Sequence, residues 1–308
     1  MSDAPRLGVR LGPLELKNPV LAASGTFGYG REYADYLDLN RLGGLVTKGI
    51  SLQPRPGNPP PRICETACGM LNAIGLANLG LDAFLAEKLP YLAELDTAVV
   101  VNLYGQSLED FTELARALEG RPGLAALELN VSCPNVKEGG MAFGVDPAAV
   151  ARVTEAVRRA TSLPLWVKLT PNVTDPVEMA RAAVEAGADA LTLINTLQGM
   201  AIDARRRRPR LATVVGGLSG PAIKPVGLRM VYQVAARVEV PVIGVGGIAS
   251  GEDVAEYLLA GARAVQVGTA NFVDPGACLR IVRELEQFCR QEGVDDVNQL
   301  VGALEVEG

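Results

Sequence analysis

A cysteine follows an apolar run in the segment NVSCPNVKEGG, residues 130–140, near the end of a predicted strand. Pro134 disfavours a helical backbone at Cys133, and the asparagine and paired glycines that follow are typical of a turn and a loop. These signals together place the thiol of Cys133 at the mouth of a site. The alternative is a small buried apolar side chain, which is what most free cysteines are.

The chain contains no histidine, which narrows the chemistry further. This excludes Ser-His-Asp and Cys-His catalysis and zinc sites with histidine ligands, so proton transfer must use Cys, Lys, Asp, Glu or Tyr. Cys64 and Cys68 have C-x-x-x-C spacing without accompanying metal ligands, and Cys278 and Cys289 fall in the last predicted helix. We predict core packing for these four cysteines and no metal site.

Polar residues and glycines recur where the apolar runs end. They are Ser24, Lys48, Asn102, Asn130, Lys168, Asn195, Thr196, Gly246, Gly247, Gly268 and Thr269. The planar amide of asparagine offers a donor and an acceptor, which match the edge of a pyrimidine or flavin ring. Glycine turns after two adjacent strands, with Gly220 in the loop before them, favour a phosphate site. The alternatives are rim charges for the lysines, caps or turns for the asparagines, and close packing for the glycines.

Eight short apolar runs predict the strands that would position these residues. They are PVLAAS (19–24), GLVTKG (44–49), AVVVNLY (98–104), LAALELNVS (124–132), LPLWVKLT (163–170), ALTLINT (190–196), PVIGVG (241–246) and AVQVG (264–268). Such runs are typical of parallel strands that are buried on both faces. Strands that alternate with helices predict a TIM (β/α)8 barrel, here a single domain over residues 1–308, with a doubly wound sheet as the alternative. The opening LGVRLGPLELKNP predicts a small N-terminal β-hairpin at the bottom of the barrel.

The helices between these strands have boundary signals of their own. Predicted N-caps are Ser107, Asp146, Asp175, Ser250 and Asp274, and predicted C-terminal glycines are Gly187 and Gly261. The three aspartates each precede a proline, which suits the first position of a helix, and the two serines each have an aspartate three residues on.

Composition and charge restrict the partners. The 308 residues include 29 basic and 35 acidic side chains, a balance of −6 that gives no electrostatic reason to bind nucleic acid or anionic lipid. No apolar run approaches the ~20 residues of a membrane span, and the N-terminus lacks an apolar signal region. Five cysteines without C-x-x-C spacing fit a reducing cytoplasm. The run Arg205–Arg208 predicts a solvated loop, with a partner contact as the alternative.

The segments NVSCPNVKEGG, GMLNAIGLAN (69–78), LTLINT with GMAIDARRRRPR, GGLSGPAIKP and GVGGIAS together resemble the catalytic chain of the dihydroorotate dehydrogenase family. The resemblance is closest to the NAD-linked type (class 1B) and covers nearly the whole chain in order. It implies an FMN-containing TIM barrel that oxidises dihydroorotate to orotate in pyrimidine (UMP) biosynthesis. Membrane-bound relatives have serine at the base position, whereas this chain has Cys133.

The resemblance also implies two overlapping sets of site residues. FMN would be held by Ser24, Lys48, Gly49, Asn102, Asn130, Lys168, Ile194, Gly220, Gly246, Gly247, Gly268 and Thr269. The substrate would be held by Lys48, Asn72, Ala73, Ile74, Gly75, Leu76, Asn130, Asn195 and Thr196. Cys133 would be the base that removes the C5 proton while a hydride passes from C6 to FMN, and Lys48 and Lys168 would complete the catalytic set.

For electron transfer, the resemblance implies a homodimer of this chain with a second subunit that carries FAD and a 2Fe–2S cluster and reduces NAD. Two enzyme alternatives stay open: a fumarate-linked dihydroorotate dehydrogenase, and a related flavin-dependent reductase of pyrimidines or tRNA uridines. The acidic balance disfavours a tRNA substrate. A non-redox phosphate-binding barrel is the alternative from another class.

Overall fold

The structure is a computed structural model that describes residues 4–132 and 143–306. The strands are, in chain order, β1 (Val9–Leu11), β2 (Leu14–Leu16), β3 (Val20–Ala22), β4 (Gly44–Val46), β5 (Ile63–Thr66), β6 (Gly69–Asn72), β7 (Ala98–Leu103), β8 (Ala126–Asn130), β9 (Leu165–Lys168), β10 (Ala190–Leu193), β11 (Leu197–Met200), β12 (Ile202–Asp203), β13 (Arg208–Pro209), β14 (Val215–Ser219), β15 (Val242–Val245) and β16 (Ala264–Val267). Cys133 lies outside the described residues, so its predicted role stays a prediction.

A closed parallel barrel is formed by β3, β4, β7, β8, β9, β10, β15 and β16, in that order. Each strand lies within one of the eight predicted runs, and the predicted TIM barrel is confirmed. Most strands end before the predicted boundary, as in β10, which ends at Leu193 rather than residue 196. Beyond that point the backbone N–H groups of Ile194 and Asn195 still donate to the carbonyls of Val245 and Leu169, at 3.0 Å each, while residues 194–196 line the cavity at the open end of the barrel.

The helices surround the barrel. They are α1 (Leu81–Ala83), α2 (Leu89–Leu92), α3 (Leu108–Leu118), α4 (Pro147–Arg158), α5 (Pro176–Glu185), α6 (Lys224–Ala235), α7 (Gly251–Leu259), α8 (Ala270–Val273) and α9 (Ala277–Gln291), with a π-helical segment at Phe84–Lys88 and 3-10 turns at Arg31–Tyr33, Leu39–Arg41, Phe143–Val145, Pro221–Ile223 and Val297–Leu300. Helix α3 shows how they pack: Phe111, Leu114 and Leu118 repeat at helical spacing and are all buried. The core therefore lies between the strands and the inner faces of the helices.

Most of the predicted helix boundaries are confirmed. Asp146 and Asp175 cap α4 and α5 by accepting hydrogen bonds from backbone N–H groups, with proline at the start of each helix. Ser107 caps α3, and Ser250 forms a full capping box with Asp253 at the start of α7. The predicted glycines at the ends of α5 and α7 both have positive φ angles, 99° and 105°.

The N-cap predicted at Asp274 is wrong. Helix α9 begins at Ala277 with Gly276 as its N-cap, and Asp274 instead ends the short helix α8. The Asp274 carboxylate accepts a hydrogen bond from the backbone N–H of Gly276 and pairs with Arg280 at 3.0 Å. The short helix α8 extends to Val273, so Asp274 and Pro275 lie in the connection between α8 and α9.

The predicted N-terminal hairpin is confirmed, since β1 and β2 pair antiparallel around the turn at Gly12. Val9, Leu11 and Leu16 are buried. A side chain at Gly12 would lie 3.8 Å from the carbonyl oxygen of Asp189, the residue before β10. The hairpin therefore lies against the N-terminal end of the barrel, opposite the end where the polar residues gather.

A second sheet was not predicted. Strands β11, β14, β6 and β5 form an antiparallel sheet in that order, built from the segments that follow the second and sixth barrel strands. Strands β12 and β13 form a separate hairpin; the Arg205–Arg208 side chains are exposed, as predicted, with the first three in its turn and Arg208 at the start of β13.

The predictions for the cysteines are confirmed for two and wrong for two. Cys278 and Cys289 are fully buried in α9. Cys64 is only half-buried on β5, and Cys68 is exposed at the turn before β6, so neither packs in the core. The second sheet carries these two cysteines to the surface. No helix among residues 4–132 and 143–306 has the length and apolar character that crossing a bilayer requires.

Candidate active site

A cavity of about 950 Å³ opens at the C-terminal ends of the barrel strands, between the barrel and the second sheet. It is lined by all the described residues of the two predicted sets: Ser24, Lys48, Gly49, Asn72, Ala73, Ile74, Gly75, Leu76, Asn102, Asn130, Lys168, Ile194, Asn195, Thr196, Gly220, Gly246, Gly247, Gly268 and Thr269. This volume lies at the upper end of the range for ligand sites, and it suits a cofactor together with a small substrate.

Lys168 lies at the floor of this cavity as the last residue of β9. Its side chain is 7% exposed, and its Nζ lies 3.8 Å from Oε1 of Glu128 on the neighbouring strand β8. Few lysines are buried so deeply, and those that are need a partner. The Glu128 carboxylate supplies the partner and leaves the Lys168 ammonium at the cavity floor.

Glu128 is a functional candidate that the sequence reasoning missed. It is fully buried inside the barrel, where Asn102 Nδ2 donates to Oε1 at 2.8 Å. Thr192 Oγ1 and Gln266 Nε2 donate to Oε2 at 3.0 and 2.6 Å. An acidic residue in the middle of the apolar run LAALEL was the available signal, because a buried strand does not carry a carboxylate without partners.

Lys48 follows β4 and reaches the cavity from the other side. Its backbone N–H donates to the Gly28 carbonyl at 2.8 Å, which fixes the turn after the strand. Burial lowers the pKa of Lys48, and the nearby charge of Arg62 lowers it further. No described acidic side chain forms a salt bridge with Lys48. Lys48 therefore presents a partly desolvated cation that an anionic ligand could pair.

The asparagines present different atoms to the cavity. Asn130 Oδ1 accepts from Ser132 N at 3.2 Å and from Asn195 Nδ2 at 3.4 Å, and Asn195 Oδ1 accepts from Thr196 N at 2.8 Å. The carbonyls of Asn130 and Asn195 are thus used within the protein. In Asn102 the nitrogen end of the amide is used instead, since Nδ2 donates a hydrogen bond to Glu128. A methyl group at Gly49, on the cavity wall, would lie 2.7 Å from Asn102 Oδ1.

The glycine turns lie together at one side of the mouth. Gly220, Gly246 and Gly247 have φ angles of 96°, 128° and 71°, a conformation that side chains disfavour. A Cβ on Gly247 would lie 3.0 Å from the carbonyl oxygen of Gly220, so the loops after β14 and β15 are in close contact. This packing supports the structural interpretation of the glycines, and because they have no side chains the same turns also present backbone at the cavity wall.

Thr269, which follows β16, joins these turns by donating from Oγ1 to Ser219 Oγ at 2.8 Å. Further cavity residues that the sequence reasoning missed include Ser132 and Asn172. Ser132 Oγ donates to the Lys168 carbonyl at 2.8 Å, which ties the residue before Cys133 to the end of β9. Asn172 Nδ2 donates to the Thr196 carbonyl at 3.1 Å. Among the described residues, no group of three or more His, Cys, Asp or Glu side chains could hold a metal ion.

Comparison with known proteins assigns this architecture to a family. The family model for dihydroorotate dehydrogenase matches residues 6–289. The chain is 60% identical to a protein of Geotalea daltonii named "dihydroorotate dehydrogenase B (NAD(+)), catalytic subunit", over 98% of this chain and 99% of that relative. Proteins of the same name from Pelobacter propionicus and Geobacter sulfurreducens are 60% and 58% identical, with the same coverage of both chains.

Proposed function

The chain belongs to the dihydroorotate dehydrogenase family, and on that premise we propose that it oxidises dihydroorotate to orotate in pyrimidine biosynthesis with FMN as its cofactor. One observation carries the proposal: two lysines and the strand-end asparagines Asn102, Asn130 and Asn195 meet glycine turns in a single cavity at the open end of the barrel. The TIM barrel occurs in enzymes that catalyse many different reactions, so the fold alone does not identify this one. The assignment depends on that arrangement of residues.

The residues of the cavity fit a phosphorylated flavin. At Gly220 a side chain would lie 2.6 Å from the Cα of Gly69, and at Gly247 it would lie 2.7 Å from the Cβ of Lys224, so only glycine leaves these turns intact. Bare backbone N–H groups on such turns, in the loops after the last strands of this fold, are the usual site for a phosphate. The Lys168 ammonium at the cavity floor would lie beside the ring.

The substrate is proposed to occupy the outer part of the cavity. Dihydroorotate carries a carboxylate, and the Lys48 ammonium could form an ion pair with it. Lys48 has no salt bridge to a described residue, and it is partly desolvated by burial. Asn130, Asn195 and Thr196 would contact its polar edges, and the segment 72–76 would close over it from the second sheet. Burial of the Lys48 ammonium strengthens its attraction for an anion, because water screens the pair less.

Oxidation removes a proton from C5 and a hydride from C6, and FMN, when bound, supplies the hydride acceptor. We propose Cys133 as the base for the C5 proton. Its neighbour Ser132 lines the cavity and is tied to the end of β9, so the chain leaves the barrel wall at the mouth. Lys168 holds a fixed positive charge at the floor, which stabilises negative charge that develops above it. The Asn130 amide N–H groups provide neutral donors beside the same floor.

The electron acceptor and the assembly are part of the proposal. The names of the relatives from Geotalea daltonii and Pelobacter propionicus include NAD(+) and the words "catalytic subunit", which indicates a separate partner subunit in those proteins. We propose that this chain forms a homodimer and passes electrons to NAD through a partner that carries FAD and a 2Fe–2S cluster. The cytoplasmic location remains a prediction from the cysteine pattern.

Substrate discrimination tests the reaction. Under anaerobic conditions the purified protein should lose its flavin colour on addition of dihydroorotate and should respond far more slowly to dihydrouracil, which lacks the carboxylate. Equal rates with the two compounds would favour a general pyrimidine reductase and count against the proposal. NAD⁺ and fumarate, added with and without the partner subunit, identify the acceptor: rapid reoxidation by fumarate with the chain alone would refute the NAD-linked type.

A further inference from the structure

We propose that Glu128 is a positioning residue for the flavin site, because its carboxylate fixes Asn102 and Lys168 in the orientation that a ring ligand requires. The inference rests on the proposed function, since it concerns the same cavity. Glu128 itself is fully buried and does not line the cavity, whereas Asn102 and Lys168 both do. The carboxylate therefore acts only through these two neighbours.

The first effect is on the polarity of Asn102. The side-chain amide of asparagine has nearly the same shape in its two flipped orientations, so packing alone does not fix which end is the oxygen. An ionised carboxylate, however, only accepts hydrogen bonds. Glu128 Oε1 accepts from Asn102 Nδ2 at 2.8 Å, so the amide oxygen of Asn102 is held on the opposite side, against Gly49 at the cavity wall. The cavity is thereby offered an acceptor, which suits a ring N–H group.

The second effect is on Lys168. Parallel pairing places Lys168 beside both Asn130 and Thr192, and its ammonium lies 3.8 Å from the same Oε1 that holds Asn102. A buried ammonium without a counter-charge is strongly unfavourable. Glu128 provides the counter-charge from below, so the upper side of the ammonium stays available to the ligand. One oxygen atom thus positions both an acceptor and a cation.

The other carboxylate oxygen has a different role, and this provides a matched control. Oε2 accepts from Thr192 and Gln266, which reach it from β10 and β16 and hold the carboxylate in place inside the barrel. Thr192 is fully buried and does not line the cavity. The isosteric change T192V removes one hydrogen bond from the network but leaves the contacts of Oε1 with Asn102 and Lys168.

The experiment compares FMN binding and thermal unfolding of three variant apoproteins with those of the wild type. E128Q should raise the FMN dissociation constant by about tenfold or more, which corresponds to one misplaced charge-assisted hydrogen bond. T192V should lower the unfolding midpoint but change FMN affinity by less than about threefold. The exchange N102D/E128Q lets residue 128 donate to a carboxylate at residue 102, which restores the pair and an acceptor toward the cavity. It should recover most of the FMN affinity.

Two results would overturn the proposal: FMN affinity of E128Q equal to that of wild type, or loss of affinity in T192V equal to that in E128Q. If E128Q does not fold, the exchange variant decides: folded protein that binds FMN supports positioning, and failure to fold or to bind rejects it. Failure of the proposed function can be distinguished from failure of this inference, since the wild-type protein would then not bind FMN or would not be reduced by dihydroorotate.

Discussion

Substitution of Gly247 by alanine tests the phosphate end of the site. Gly247 has a φ of 71°, and an added Cβ would lie 2.7 Å from Lys224 Cβ and 3.0 Å from the carbonyl oxygen of Gly220. The backbone conformation alone costs alanine about 1–2 kcal/mol, and overpacking costs about 1–3 kcal/mol more. The contacts can be relieved only if the loops after β14 and β15 move apart, which disturbs the backbone N–H groups proposed to hold the phosphate.

The matched control is Gly302→Ala. Gly302 has nearly the same φ, 70°, but an added Cβ would have no heavy atom within 4 Å. This variant carries the backbone cost of about 1–2 kcal/mol without the close contacts. It should therefore unfold at a slightly lower temperature than wild type and bind FMN normally.

The assay is titration of the apoproteins with FMN and with riboflavin, which lacks the phosphate. Loss of one charge-assisted hydrogen bond costs about 1.5–3 kcal/mol, so G247A should bind FMN about 10- to 150-fold more weakly than wild type. Riboflavin affinity should change little. If G247A weakens FMN and riboflavin equally, or neither of them, the phosphate does not lie at this turn.

Three further outcomes follow from the environments of individual side chains. Because burial lowers the pKa of Lys48, its charge destabilises the folded apoprotein below that pKa, and the penalty vanishes as pH rises through the ordinary value of 10.5. K48M should therefore raise the apoprotein's unfolding temperature at neutral pH, but not at strongly alkaline pH, and abolish orotate binding; an unchanged midpoint at neutral pH would contradict this. Hydrogen bonds from Ser162 and Thr161 lower the pKa of Glu119 to about 2, so its stabilisation is present above the ordinary value of 4.5 and is lost as pH falls toward 2. E119Q should remove that part of the pH dependence in thermal melts, and an identical acid profile would contradict the assignment. Exposed Cys68 should react with a thiol reagent in the native protein, as seen by peptide mapping, whereas Cys278, whose pKa burial raises to about 12, should not.

The barrel could be predicted from the sequence because its strands are short, apolar and regularly spaced. The runs around Val101 and Val167 have no polar alternation, so they had to be buried on both faces, and a parallel sheet follows. The location of the site at the open end of the barrel could also be predicted, since polar residues at the C-terminal ends of parallel strands lie close together. This is why residues as distant in the chain as Lys48 and Thr269 line one cavity.

The features that were missed depend on long-range contacts. Strand β6 is formed by GMLN and β14 by VGGLS, glycine-rich segments whose strand character comes from pairing with each other across 145 residues of the chain. The position of Cys64 and Cys68 on that sheet could not be known without it. Glu128 was overlooked because its partners come from four other strands, and a single sequence does not show which residues face the same interior layer.

The most direct test of the central claim is the visible spectrum of the purified protein during anaerobic titration with dihydroorotate. We expect a yellow protein that contains FMN, loses its absorbance on addition of dihydroorotate, and yields one orotate for each flavin reduced. A colourless protein that does not take up added FMN, or a flavoprotein whose spectrum dihydroorotate leaves unchanged, would contradict it.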